Sequence, residues 1–81
     1  MKLNVIYFAS VASKAGLGSE YIEMQPEASI IDLRQQIAAT RPEIAEMLKF
    51  CRFAVNQSYA FDADMLNDGD EVAVIPPVSG G

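Results

Sequence analysis

The sequence contains no histidine and no tryptophan, and it has a single cysteine, Cys51. One cysteine excludes an internal disulfide, and no Cys/His set is available for zinc or an iron–sulfur cluster. Without an imidazole, no pairing of a nucleophile with a base is apparent. These absences predict a chain that is not an enzyme on its own and that holds neither a metal nor a cofactor. We expect Cys51 to be a buried residue that packs in the core.

Positive charge is scarce, because 6 lysines and arginines stand against 11 aspartates and glutamates, for a formal net charge of −5. Phosphate backbones repel such a chain, which argues against nucleic-acid binding and favours a partner with a basic surface. Long apolar runs are also lacking, so neither a membrane span nor the apolar region of a signal peptide is visible. The default expectation is a soluble, cytoplasmic protein without membrane contact.

The 81 residues, 51% of them hydrophobic, predict one globular domain over residues 1–81 with a modest core. Two-residue alternation of apolar side chains predicts strands, and β-branched or aromatic residues support them. Two glycines within residues 14–19 predict a turn region, so the first two strands would form a hairpin with a long connection, and we expect Tyr21 to anchor the second strand. The predicted strands span residues 3–9, 20–24, 52–55, 59–61 and 71–75.

A helix is predicted after Ser29, which is a good N-cap, with Asp32 placed near the positive end of the helix dipole. Pro42 ends this helix and can begin a second, short one. The order β-β-α-(α)-β-β-β predicts an α+β fold in which the main helix covers one face of a mixed sheet. The apolar positions at helical spacing are Ile30, Leu33 and Ile37 in the first helix and Ile44, Met47 and Leu48 in the second.

The chemical motif is the C-terminal segment of residues 76–81, which ends in Gly80-Gly81. Prolines at its start stop the sheet and stiffen the exit, and six extended residues reach roughly 20 Å. Because glycine has no side chain, the last two residues would not block an activating enzyme from bringing ATP against the Gly81 carboxylate. Sulfide could then displace AMP and leave a nucleophilic thiocarboxylate. The pattern favours a sulfur carrier, and a chance or appended Gly-Gly pair remains the alternative.

Residues 66–81, read as LNDGDEVAVIPPVSGG, resemble the C-terminal signature of the MoaD family, the small sulfur carrier subunits of molybdopterin synthase. Residues 5–9 resemble the first strand of that family, and residues 54–57 its central turn. The resemblance implies a ubiquitin-like β-grasp with a flexible Gly-Gly tail. It also implies that the first and last strands lie side by side and parallel at the centre of the sheet.

The resemblance also implies the partners and the reaction. An E1-like adenylating enzyme that uses ATP would activate Gly81, and a sulfur donor acting through that enzyme would supply the sulfur. The large subunit of molybdopterin synthase would then take up the tail, with Gly80 and Gly81 at the reacting end. Sulfur would pass to a cyclic pterin precursor in molybdenum cofactor biosynthesis, within a heterotetramer built on a large-subunit dimer.

Three apolar positions match family contacts with the partner: Phe8, Tyr59 and Ile75. Alternation agrees, because Phe8 faces away from the helix if its neighbours on the first strand face toward it. Such a set would form an exposed apolar patch, which marks a partner site, unless a loop or the second helix covers it. The tail residues expected to contact the partner are Pro76, Pro77, Val78 and Ser79.

Three other functions remain open on the sequence. A sulfur carrier for thiamin biosynthesis shares the fold and the Gly-Gly end, but it is typically shorter and lacks the second helix, so residues 42–50 favour the molybdopterin interpretation. A protein modifier joined to lysines through Gly81 is a second possibility. A β-grasp interaction module with an inert tail is the third.

Overall fold

The computed structural model of the protein describes residues 1–77. Predictions for Val78, Ser79, Gly80 and Gly81, including the flexible tail, lie outside the described residues. The strands are β1 (Lys2–Tyr7), β2 (Ser19–Glu23), β3 (Arg52–Val55), β4 (Ser58–Ala60) and β5 (Glu71–Ile75). The helices are α1 (Ala9–Ala15), α2 (Ile30–Thr40) and α3 (Ala45–Leu48), and a 3-10 turn (Pro42–Ile44) precedes α3.

The five strands form one mixed sheet in the order β2-β1-β5-β3-β4. Strands β1 and β5 are parallel, with Val5 opposite Val72 and Tyr7 opposite Val74. The other neighbouring pairs, β1–β2, β3–β4 and β3–β5, are antiparallel. This arrangement confirms the predicted α+β class and the parallel pair at the sheet centre.

One face of the sheet is covered by the helices and carries the core. Alternate residues of β1 point into the core, so Leu3, Val5 and Tyr7 are buried. The same alternation buries Val72 and Val74 of β5. Full burial of a large apolar side chain contributes about 1.5–3 kcal/mol, so this face supplies most of the driving force for folding. The helices and β3 complete the core with Val11, Ile30, Leu33, Ile37, Ile44, Leu48 and Phe53.

Both ends of α2 follow the predicted signals. The Asp32 carboxylate accepts hydrogen bonds from the Ser29 backbone N–H at 2.9 Å and from the Ser29 hydroxyl at 3.1 Å. These bonds satisfy a donor that the first helical turn leaves without a partner. At the other end, the Arg41 N–H donates to the Ile37 carbonyl at 2.8 Å, and Pro42 begins the 3-10 turn. The sequence therefore predicted this helix correctly.

The connection between β1 and β2 differs from the prediction. The first strand ends at Tyr7 rather than at Ala9, and residues 9–15 form α1, a helix that was not predicted in the connection between the two strands. Gly16 closes this helix with φ 80°, a left-handed conformation that glycine adopts without a steric penalty. The helix was missed because Val11 is its one buried residue, which leaves hardly any apolar periodicity to detect.

The orientation of β2 also corrects a prediction. Tyr21 does not anchor the strand in the core, because it pairs with Asn4 and is exposed. The Lys2 Nζ lies 4.6 Å from the centroid of its ring. Ile22 packs against the core instead. One register step separates the two faces of a strand, and an aromatic residue in an edge strand can occupy either.

Candidate partner-binding face

The sheet face that the helices leave uncovered carries a shallow depression of about 350 Å³. The three predicted contact residues Phe8, Tyr59 and Ile75 all line it. Phe8 is 46% exposed and Tyr59 is 59% exposed. Within residues 1–77, neither a loop nor the second helix therefore covers them, which was the alternative to an exposed patch. The remaining lining residues of this open-face depression are Ala54, Gln57, Glu71 and Ala73.

Strand pairing explains why the depression forms here. Ala54 lies opposite Ala73 on β5 and opposite Tyr59 on β4, so two small side chains make a low floor between larger ones. The Phe8 N–H donates to the Val74 carbonyl at 3.2 Å, which holds Phe8 beside β5 although the strand itself has ended. On the opposite side, the Arg52 guanidinium lies 4.2 Å from the centroid of the Tyr59 ring. The depression is therefore bordered by side chains that the sheet holds in place.

The turn between β3 and β4 contributes a lining residue that the sequence did not identify. Asn56 and Gln57 form a two-residue connection, with φ 49° and 73°. Sequence reasoning found the turn, but it did not show that the Gln57 side chain borders the depression. The turn type could have given this signal, because it fixes which residues of a hairpin lie at its tip.

The base of the tail lies between two hollows. Ile75 lines the open-face depression, and the next residues, Pro76 and Pro77, line a second hollow of about 230 Å³. Phe50 also lines this second hollow and is 69% exposed, and sequence reasoning did not propose it. Of the predicted tail contacts, Pro76 is half-buried and Pro77 is exposed.

Three titratable side chains, Tyr7, Glu20 and Arg41, form a hydrogen-bonded network that joins structural elements. Arg41 donates to the two Glu20 carboxylate oxygens at 2.6 and 2.8 Å, and the Tyr7 hydroxyl donates to the same carboxylate at 2.5 Å. Burial is the main cause that raises the pKa of Tyr7, and the hydrogen bonds from Arg41 lower the pKa of Glu20. This network ties β1, β2 and the end of α2 together.

Cys51 lies in the core, as expected, and its thiol donates to the Met47 carbonyl at 3.2 Å. Burial raises the pKa of this thiol, which disfavours the reactive thiolate. Across residues 1–77, no three His, Cys, Asp or Glu side chains come together as a metal site. In the same part of the chain, no helix is both long and apolar enough to cross a bilayer.

Comparison with known proteins agrees with this geometry. Residues 5–81 match the ThiS family. The chain is 43% identical to the molybdopterin synthase sulfur carrier subunit of Chlamydomonas reinhardtii over 100% of both chains. It is 39% identical to the human subunit of that name, over 99% of this chain and 94% of the relative.

A solved structure also shares the fold. The complex of subunits 1 and 2 of the molybdopterin-converting factor from Helicobacter pylori contains a chain that is 24% identical, with a TM-score of 0.73 and full coverage of both chains. At that identity the likeness shows the fold alone. From the family match and the full-length identities, we conclude that this chain belongs to the ThiS family and that it is similar throughout to molybdopterin synthase sulfur carrier subunits.

Proposed function

We propose that the protein is the sulfur carrier subunit of molybdopterin synthase and that it supplies sulfur for molybdenum cofactor biosynthesis. The observation that carries this proposal is the 43% identity to a sulfur carrier subunit of that enzyme over the full length of both chains. The fold supports it, because the central strand β5 runs directly into Pro76 and Pro77 at the edge of an open apolar face.

The reacting group in this proposal is the carboxylate of Gly81. On an E1-like adenylating enzyme, a carboxylate oxygen attacks the α-phosphorus of ATP, which forms an acyl-adenylate and releases pyrophosphate. Sulfide from a donor then attacks the acyl carbon, and AMP leaves with the electron pair of the broken C–O bond. The product is a thiocarboxylate. Support comes from the family match, which extends through Gly81, and from the two terminal glycines, whose lack of side chains suits a narrow channel.

The partner in the second half of the reaction is the large synthase subunit. We place Phe8, Tyr59 and Ile75 at its contact surface and Pro76, Pro77, Val78 and Ser79 in its channel. Exposed aromatic side chains around a preformed depression are the features that carry binding energy at protein interfaces. The assembly would be a heterotetramer, with one carrier bound to each half of a large-subunit dimer.

Intact-mass spectrometry tests the function directly. After incubation with the adenylating enzyme, ATP and a sulfur donor, we expect the chain to gain about 16 Da, because one sulfur replaces one oxygen. An unchanged mass would contradict the carrier function. Conjugates much heavier than the chain would instead identify a protein modifier.

A pair of variants provides the control. Removal of Gly81 should abolish sulfur loading and leave the melting temperature unchanged, because the described core lies within residues 1–77. Lys14→Ala changes an exposed residue of α1 far from the tail in sequence, keeps both terminal glycines and should load normally. Loading that persists without Gly81 would show that the sulfur is attached elsewhere.

A further inference from the structure

The backbone of Gln57 adopts a conformation that favours glycine. Val55 pairs with Ser58, so Asn56 and Gln57 are the two central residues of the hairpin turn, both with positive φ. Turns of this kind prefer asparagine at the first position and glycine at the second. Asn56 fits this preference, whereas Gln57 has φ 73° and a Cβ that opposes it. Strained residues are concentrated at functional sites, so the glutamine side chain here calls for a functional reason.

Three hydrogen bonds fix the position of this turn against β5. The Asn56 N–H donates to the Glu71 carbonyl at 2.8 Å, and the Glu71 N–H donates to the Asn56 side-chain oxygen at 3.0 Å. The Asn56 amide nitrogen also donates to the buried Asp70 carboxylate at 2.9 Å. Gln57 is consequently held beside Glu71 by its neighbour, independently of any contact of its own.

Gln57 and Glu71 form one polar edge of the open-face depression. Within residues 1–77, neither side chain makes a hydrogen bond or an ion pair. An amide oxygen and a carboxylate are both acceptors, and a guanidinium or an ammonium group offers only donors. The net charge of −5 also favours a partner with a basic surface.

We propose that Gln57 and Glu71 together bind one cationic side chain, an arginine or a lysine, of the large synthase subunit at the edge of the open-face depression. This inference rests on the proposed function. The apolar residues of the depression would supply contact area, and the pair would set the orientation of the partner. The strain at Gln57 is retained because glycine, which suits the turn, has no amide to offer.

Affinity measurements with the purified large subunit test the pair. We expect Gln57→Gly and Glu71→Gln each to weaken binding about tenfold, a typical effect for a charge-assisted hydrogen bond. The double variant should lose less than the product of the two single losses, because both residues hold the same cation. Gln57→Gly should melt no lower than the parent chain, since it relieves the positive φ.

Glu27→Gly is the matched control. Glu27 also has positive φ, 69°, and it lies in a turn in which the Ala28 N–H donates to the Gln25 carbonyl at 3.2 Å. It does not line the depression. The substitution relieves the same kind of strain and removes a carboxylate, so it should leave the affinity unchanged. A loss equal to that of Glu71→Gln would mean that net charge alone acts, which overturns the proposal.

Unchanged binding by Gln57→Gly, or independent effects of the two substitutions, would also overturn it. If Gln57→Gly melts lower than the parent, Gln57→Asn decides, because asparagine tolerates positive φ but ends one methylene short. If the proposal holds, Gln57→Asn keeps the melting temperature of the parent chain but binds the large subunit more weakly. An affinity equal to that of the parent chain would refute the inference. These failures are distinct from failure of the proposed function, in which the parent chain itself neither gains sulfur nor binds the large subunit.

Discussion

The two faces of the sheet carry similar apolar residues, but these side chains are buried on one face and exposed on the other. On the covered face, Leu3 and Val5 are 0% exposed, and Tyr7 is 3% exposed. The very next residue, Phe8, is 46% exposed on the open face. The residue types do not explain this contrast, because phenylalanine is as apolar as leucine. The helices explain it, since they pack on one face and leave the other open.

The comparison separates two uses of the hydrophobic effect. Apolar side chains buried on the covered face stabilise the fold. Those exposed on the open face do not, but their burial against a partner would favour binding. Substitutions on the covered face should therefore change the free energy of unfolding, and those on the open face should change affinity. Four predictions test this division.

The largest effect is expected for Phe53→Ala on the covered face. Phe53 is 1% exposed, and the Arg34 guanidinium lies 4.5 Å from its ring centroid. Removing the ring should lower the free energy of unfolding by about 3–5 kcal/mol, a large part of the stability of a small domain. Urea denaturation followed by circular dichroism measures it. A loss below about 1 kcal/mol would show that the core repacks and that the division is weaker than described.

Phe8→Ala is the matched substitution on the open face. We expect affinity for the large subunit to fall about 30-fold, or about 2 kcal/mol, as at an interface hot spot. The free energy of unfolding should change by at most about 1 kcal/mol, because the ring is half exposed. Isothermal titration calorimetry and urea denaturation together give both values. Equal affinities of variant and parent would remove Phe8 from the proposed interface.

Tyr7→Phe probes the polar edge of the covered face. Loss of the hydroxyl should cost about 1.5 kcal/mol near neutral pH, because the hydrogen bond to the Glu20 carboxylate is lost. The folded state raises the pKa of Tyr7, so this contribution is complete below about pH 10 and disappears as the pH rises beyond it. The parent should lose stability in alkali more steeply than the variant.

The acid limb is the internal control for this experiment. Hydrogen bonds from Arg41 lower the pKa of Glu20, so its contribution is present above about pH 4.3 and is lost as the pH falls through the folded value. Tyr7→Phe keeps the Arg41–Glu20 pair and should keep most of this acid loss. Urea midpoints across the pH range check both limbs, and parallel alkaline limbs in parent and variant would contradict the assignment to Tyr7.

The smallest effect is expected for Asp32→Ala at the start of the covering helix. The variant loses the hydrogen bonds from Ser29 and should lower the free energy of unfolding by about 0.5–1 kcal/mol, without a change in affinity. Glu46→Ala is the control, because within residues 1–77 its carboxylate pairs with the exposed Lys49 alone and such surface pairs contribute about 0.3 kcal/mol. Equal losses in the two variants would show that the cap adds nothing beyond surface charge.

Local signals predicted α2 and β3 well and α1 not at all. Ser29, Asp32 and Pro42 act on neighbouring residues, so the bounds of α2 could be read from the sequence. Helix α1 has Phe8 at its N-cap without a side-chain hydrogen bond, begins at positive φ at Ala9, and buries only Val11. Its position follows from the packing of a short connection against the core, which no local pattern encodes.

The candidate site was likewise predicted only in part from the sequence. The positions of Phe8 and Tyr59 on an open face followed from alternation and from the family resemblance. Gln57 and Phe50 were not predicted, because each lines its hollow together with a distant part of the chain, Glu71 for Gln57 and Pro76 for Phe50. The pairing of β3 with β5 and the hydrogen bonds between Asn56 and Glu71, 15 residues away, hold the hairpin where Gln57 borders the depression.

The sequence by itself determined the terminal Gly80-Gly81 motif, the bounds of α2 and the alternation that divides each strand into two sets of side chains. These features depend on covalent chemistry and on contacts within a few residues. Only the tertiary structure decided which set the helices cover, that Tyr21 faces outward, and that Gln57 and Glu71 border one depression. Those outcomes depend on strand register and on the helices packing on a single face, and both are set by contacts between distant parts of the chain.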